Sequence, residues 1–272
     1  MDRKIFSEVW RLFFIMFCFV FATAFAEEPK KIIDDSFLIE EAYNQEAGVV
    51  QHIQTFQYMK DKTWDYSFTQ EWPVLGQTHQ LSYKIPITHV TDPDNSTGIG
   101  DVMISYRYQA IMQDRIAFSP RFSALFPTGD YKRGMGSGSP GIQTNLPFSI
   151  ELSDKWITHW NIGATYTPNS KDSVGSESDN LVGNVGASII WLIKEDFNFM
   201  LEVLWSHSEI FNEEVFTRKE EDSLLISPGV RYAINFESGL QIVPGIAFPV
   251  GLGASEGDYG VFAYLSFEHP MF

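Results

Sequence analysis

The chain reads as an all-β protein, a single transmembrane antiparallel β-barrel of about twelve strands with a short N-terminal segment. Three observations predict it. An apolar leader ends at residue 26, and the only cysteine, Cys18, lies within it. After about residue 47 the hydrophobic pattern has a period of two, in runs of 13 to 15 residues. The connectors between runs alternate in length, short at one end and mostly long and polar at the other, as in outer-membrane barrels.

Composition narrows the field first. The 272 residues include 23 Phe and are 15% aromatic, which disorder does not support. The formal net charge is -16, from 35 acids against 19 bases, so nucleic acid is not an expected partner. With no cysteine beyond the leader, disulfide scaffolds, cysteine-based zinc sites and thiol nucleophiles are excluded.

Residues 1–26 read as a signal peptide. Arg3, Lys4 and Arg11 give the positive start, Leu12 to Ala22 the apolar run, and Ala24-Phe25-Ala26 the small-x-small site before Glu27. The run is shorter than the ~20 residues a spanning helix needs. Residues 27–46 form an N-terminal periplasmic segment. Phe37, Ile39 and Tyr43 would share one side of a short helix there, so the segment is either a plug at the periplasmic mouth or a loosely ordered tail, and the tail is the simpler expectation. Residues 47–272 form the outer-membrane β-barrel domain.

Strands are expected at 47–59, 63–75, 78–90, 99–112, 115–129, 140–152, 156–168, 181–193, 197–211, 223–236, 240–252 and 259–272. The short connectors are Gly76-Gln77, Gln113-Asp114, Ser153 to Lys155, Lys194 to Asp196 and Glu237 to Gly239. The long ones, at 91–98, 130–139, 169–180 and 212–222, are expected outside the cell. An even strand number leaves both termini on the short-turn, periplasmic side.

Each strand has one greasy and one mixed face, because residues i and i+2 share a side. In the fourth strand Val102, Ile104, Tyr106, Tyr108 and Ala110 oppose Asp101, Met103, Ser105, Arg107 and Gln109. In the ninth, Phe197, Phe199, Leu201, Val203 and Trp205 oppose Asn198, Met200, Glu202, Ser206 and Ser208. Trp64, Trp72, Tyr83, Trp156, Trp160, Tyr166, Trp191, Trp205, Tyr232 and Phe267 fall on greasy faces, where interfacial girdles sit. Lipid offers no partner for free N–H and C=O groups, so such a sheet must close on itself. The mixed faces then line the lumen and bring in Asp65, Glu71, Lys84, Asp101, Arg107, Arg121, Glu151, Glu202, Arg231 and Glu268. These serve either as a hydrated wall with internal ion pairs or as a selectivity lining. Glu71 and Lys84 are placed to pair across the Gly76-Gln77 turn, and Arg107 and Arg121, on adjacent strands, need an acid nearby.

Chemistry is sparse. The six histidines make no zinc spacing. Ser206-His207-Ser208 has the residue types of a barrel lipase but not its His-x-Ser spacing. The Gly-rich stretch at 134–139 joins two strands and opens no helix, so it is a loop rather than a phosphate cradle. Asp92, Asp94 and Asn95 offer oxygens to calcium but lack the rest of a binding loop and read as a solvated turn. No catalytic residue, cofactor or metal ligand is expected.

The stretch from Glu40 through Glu41-Ala42-Tyr43-Asn44-Gln45-Glu46 to His52 resembles the start of the family called "putative MetA-pathway of phenol degradation". So do Gly100-Asp101 leading to Tyr106-Arg107-Tyr108, Phe126-Pro127-Thr128-Gly129, and Ser266-Phe267-Glu268-His269-Pro270. The resemblance covers most of the chain after the leader. It implies an outer-membrane transporter for small, even aromatic, molecules, and it carries no catalytic residue. Phe272 supplies the terminal aromatic common in outer-membrane barrels, so the last strand is the expected contact for the barrel-assembly machinery. Outer-membrane lipids and small solutes complete the expected partners. The competing readings are a non-transporting structural or surface-interaction barrel and an outer-membrane lipid-modifying enzyme.

Overall fold

In the computed structural model, which describes residues 36–92, 95–212 and 217–271, all twelve expected strands form one closed antiparallel barrel. They are β1 (Val49–Met59), β2 (Trp64–Pro73), β3 (His79–Val90), β4 (Ser96–Ile99, Val102–Tyr108 and Ile111–Gln113), β5 (Ile116–Phe118 and Arg121–Phe126) and β6 (Gly141–Asn145 and Phe148–Ser153). The second half comprises β7 (Trp156–Lys171), β8 (Glu177–Lys194), β9 (Phe197–Asn212), β10 (Thr217–Tyr232 and Ile234–Asn235), β11 (Gln241–Ala247 and Val250–Gly251) and β12 (Gly260–Pro270). β1 pairs with β2 on one side and with β12 on the other, from Val49 opposite Pro270 to Met59 opposite Gly260. Among the described residues no sheet edge is left, which is the condition for a sheet in lipid. Pro270 ends its strand, where its missing N–H interrupts nothing.

Three of the breaks within strands fall at prolines: Ser119-Pro120 in β5, Leu146-Pro147 in β6 and Phe248-Pro249 in β11. A proline cannot donate to the ladder, so each break costs one rung. Neighbouring backbone reaches across the gaps: Tyr108 N–H donates to the Pro120 carbonyl at 3.0 Å and Ser119 N–H to that of Pro147 at 3.2 Å.

The exterior is apolar along the strands. Trp160, Ile162, Phe122, Val203 and Trp205 are exposed and alternate with buried polar residues such as Asn161, Ser123 and Glu202. This inverts a soluble protein, whose large apolar groups go inside. Register places every expected girdle ring on this outer face.

Two expected loops are largely strand. The stretch 169–180 is a continuation of β7 and β8 except for the turn at 172–176, where Asp172 accepts the N–H groups of Val174 (3.0 Å) and Ser176 (2.9 Å). In 212–222, β10 already runs from Thr217. Polarity marks where these ribbons leave the greasy band, not where the ladder ends. Cross-strand ion pairs such as Lys171–Glu177 (3.3 Å) and Arg218–Glu209 hold them together. The signal peptide, residues 27–35, Asp94 and Phe272 lie outside the described residues.

Candidate functional site: an occupied lumen

Residues 36–46 run inside the wall. Ser36, Phe37, Ile39, Glu41, Ala42, Asn44 and Gln45 are buried, and the stretch bends without forming a helix. For this part of the segment the expectations of a short helix and of a loose tail are both corrected. An unpaired buried backbone is costly, and here inward side chains of successive strands supply the partners.

The segment crosses the strands one after another. Ser36 Oγ donates to Ser188 Oγ of β8 (2.8 Å). On β9 the Glu202 carboxylate accepts the N–H groups of Leu38 (2.8 Å) and Ile39 (3.1 Å). Asn161 of β7 brackets residue 40: its Oδ1 accepts the Glu40 N–H and its Nδ2 donates to the Glu40 carbonyl, both at 2.8 Å. Ser149 Oγ of β6 accepts from Ala42 N–H (2.8 Å), and Ser119 Oγ donates to the Ala42 carbonyl (2.6 Å). Gln109 donates to the same carbonyl (2.7 Å) and accepts from Asn44 N–H (2.8 Å). On β3, Gln80 Oε1 accepts from Gln45 N–H at 2.7 Å.

The lumen has two characters, and the segment matches both. Inward residues of β7 to β12 and β1 form a dry cluster with Phe37, including Ile53, Ile157, Ile190, Met200, Val243 and Phe262. The Phe37 ring lies 5.6 Å from Phe262 and 5.3 Å from Tyr264, centroid to centroid. Gly229 and Gly245 form its socket, since a Cβ on either would come within 2.5 Å of the ring. Gly186 leaves the same kind of room for Ile39. Glycine weakens a strand interior, and close approach of another chain segment is what offsets that here.

The wall of β2 to β6 is polar, and here the segment carries its carboxylates. Arg107 and Arg121 are direct cross-strand partners, so two guanidinium groups adjoin. Arg121 holds Glu40 through two charge-assisted bonds, Nη2–Oε1 at 2.6 Å and Nε–Oε2 at 2.9 Å. Its remaining donors reach Gln143 (2.9 Å), Ser105 (3.3 Å) and Ser123. Arg107 is buried, donates to Asn44 Oδ1 (2.9 Å) and to the carbonyls of Glu41 (3.2 Å) and Tyr43 (2.5 Å), and lies 4.0 Å from both Glu41 and Glu71. Burial alone would raise the Glu40 carboxyl, but its ion pair and hydrogen bond with Arg121 and the field of Arg107 prevail and hold it below its ordinary value. Burial, reinforced by Glu151 and Glu41, pushes the Tyr43 hydroxyl well above the usual phenol range.

All ten lumen candidates face inward, Asp65 opposite Gln57 and accepting from Thr88 at 2.7 Å, but they do not form one ring. Glu71, Arg107 and Arg121 gather around the segment, and Glu71 accepts from Gln80 at 2.6 Å. Glu202 caps residues 38 and 39. Asp101 is at the far end, where it clamps the β5–β6 loop by accepting the N–H of Gly129 (3.0 Å) and the N–H (2.8 Å) and hydroxyl (2.6 Å) of Ser137. Lys84 faces inward opposite Thr69 and Met103, Glu151 opposite Ile157, Arg231 opposite Asn198 and Gly245, and Glu268 opposite Gln51 and Gln241. Sequence reasoning missed Glu40 and Glu41 as the acids that answer the arginines. The inward glycines of β8, β10 and β11 were the available signal. Ser206 and His207 point to opposite faces, and His207 pairs with Asp222 at 3.0 Å. A second serine–histidine pair, Ser149–His159 at 2.7 Å, faces inward with its serine engaged by the segment.

This barrel is similar to an outer-membrane channel from Pseudomonas putida F1, at 12% identity and a TM-score of 0.66 over 84% of this chain and 97% of that one. It is also similar to the NanC porin, at 10% identity and a TM-score of 0.54 over 80% and 98%. At such identities the likeness is one of fold. No curated protein matches the sequence. The model of the family described as "Putative MetA-pathway of phenol degradation" matches residues 33–250.

Proposed function

The chain belongs to the family described as "Putative MetA-pathway of phenol degradation", and on that premise we propose that it is an outer-membrane channel for small solutes, aromatic ones included. The observation that carries the reading is the inverted wall: a closed barrel, apolar outside, whose inner face along β2 to β6 is lined by charged and amide side chains. Such a wall stabilises solutes that leave water only briefly. Residues 36–46 narrow the lumen in this reading, acting as a plug toward the short-turn, periplasmic end. Lipid meets the outer girdles, and the barrel-assembly machinery meets the strand that leads to Phe272. Export by a cleaved signal peptide at residues 1–26 delivers the chain.

The buried segment also favours a second reading, a sealed barrel with a structural or surface-interaction role. Conductance separates the two. Purified protein in planar bilayers is expected to give discrete single-channel currents, and liposomes holding it are expected to swell in phenols, amino acids or sugars. Protein that inserts and folds yet passes neither ions nor solutes would decide for the sealed barrel.

A further inference from the structure

Resting on the channel reading, and naming a substrate class for it, we propose that Arg121 with Gln143, Ser105 and Ser123 is a binding site for small organic carboxylates, occupied here by the chain's own Glu40.

The site has the form of a ligand pocket. Five donor–acceptor contacts converge on one guanidinium: the two bonds to Glu40, Gln143 at 2.9 Å, Ser105 at 3.3 Å and Ser123. Side-on recognition through Nε and Nη2 is the geometry in which arginine reads a planar carboxylate. Arg107, directly across the ladder, adds a second positive charge. Arg107 is sealed, with 3% of its side chain exposed, whereas Glu40 keeps 26% exposed. The carboxylate bound at Arg121 therefore keeps part of its surface accessible, where that of Arg107 is covered.

The occupant is replaceable because two different sets of bonds hold residue 40. Asn161 fixes its backbone from both sides, at 2.8 Å each. Arg121 fixes only its side chain. Rotation of the Glu40 side chain frees Arg121 without undocking the segment. A solute carboxylate then makes the same two bonds, with no covalent step. The tethered Glu40 competes at a high local concentration, on the order of millimolar or above for short tethers, so an incoming carboxylate is bound weakly and released readily. That is what passage requires.

The test is calorimetric titration of full-length folded protein with sodium benzoate, using benzamide as the neutral probe of the same shape. Glu40→Ala is expected to bind benzoate at least tenfold more tightly than the wild type, with benzamide unchanged. Adding Arg121→Gln to it is expected to abolish the gain. Glu40→Asp, one methylene shorter, is expected to fall between, and it decides the matter if Glu40→Ala does not fold. Equal benzoate affinity in wild type and folded variants, or a gain shared by benzamide, overturns the carboxylate site. Conductance of the same preparations is read separately. Currents without benzoate binding overturn this site alone, whereas binding that follows the expected order without currents overturns the channel reading and leaves the site standing.

Discussion

Phe37→Ala should loosen the lumen segment without opening the barrel. The ring is 8% exposed, sits on the glycine socket of Gly229 and Gly245, and contacts Phe262 and Tyr264. Truncating a buried Phe to Ala costs about 3–5 kcal/mol in a well-packed site. The barrel closes through β1 and β12 without the segment, so this cost falls on docking rather than on the ladder. At about 1.4 kcal/mol per tenfold, the undocked population rises by roughly two to three and a half powers of ten, until undocking is complete. Ser36 is the reporter: it is 2% exposed, and Ser36→Cys is close in size. With Cys18→Ser it leaves a single thiol, whose maleimide labelling measures how often the segment opens. Labelling of the Phe37→Ala chain should be faster by about a hundredfold or more, with heat-modifiable gel migration unchanged. A rate within threefold of the parent would mean that the apolar socket does not hold the segment. Loss of the folded band would mean that the segment is part of the barrel core.

The outer and inner faces of β9 should differ in their tolerance of charge: Val203→Arg, on the exposed face, should cost ~2–4 kcal/mol near mid-bilayer and lower the folded fraction, whereas Ser206→Arg, facing inward, should fold nearly as the parent. Equal losses would show that the faces are wrongly assigned. Cysteine at Ser173, in the β7–β8 turn, should label in intact cells, and cysteine at Asp154, in the β6–β7 turn, should not; the reverse would invert the barrel in the membrane. The Glu40 carboxyl is held below its ordinary value, so its contribution to docking is complete above the unfolded carboxylate range and is lost as pH falls through the lowered folded value. Pepsin cleavage at Phe37-Leu38 should therefore rise more steeply on acidification in the parent than in Glu40→Gln, and parallel profiles would refute the role given to Glu40.

The barrel was legible because lipid imposes its pattern on every strand. Alternation, ring placement and connector length each report the same wall, and none depends on which residues touch. Strand ends were less legible. The ribbons at Lys171–Glu177 and Glu209–Arg218 are held by cross-strand charge pairs outside the greasy band, and a polar run reads as loop when the partner strand is unknown. The lumen was the least legible. Arg107 and Arg121 announced a need for acid on the wall, but the acids come from Glu40 and Glu41, on a stretch with no periodicity to place it.

What ties the segment to the wall is a division of labour that can be read in both directions. Ladder residues usually spend their backbone on one another and their side chains on packing. Here Gln80, Gln109, Ser149, Asn161 and Glu202 spend theirs on another segment's peptide groups. Amides and hydroxyls suit that work because each offers a donor, an acceptor or both without a charge to compensate. Apart from Glu202, which caps Leu38 and Ile39, charge meets the segment where it brings side chains of opposite sign, Glu41 at Arg107 and Glu40 at Arg121. The apolar half needs no such matching and uses missing side chains instead, at Gly186, Gly229 and Gly245. A wall selected only for water and ions would gain nothing from inward glycines beside Met200 and Val243, and would lose packing by them. Their presence opposite Phe37 and Ile39 is therefore the physical reason to regard the segment as a built component of the lumen.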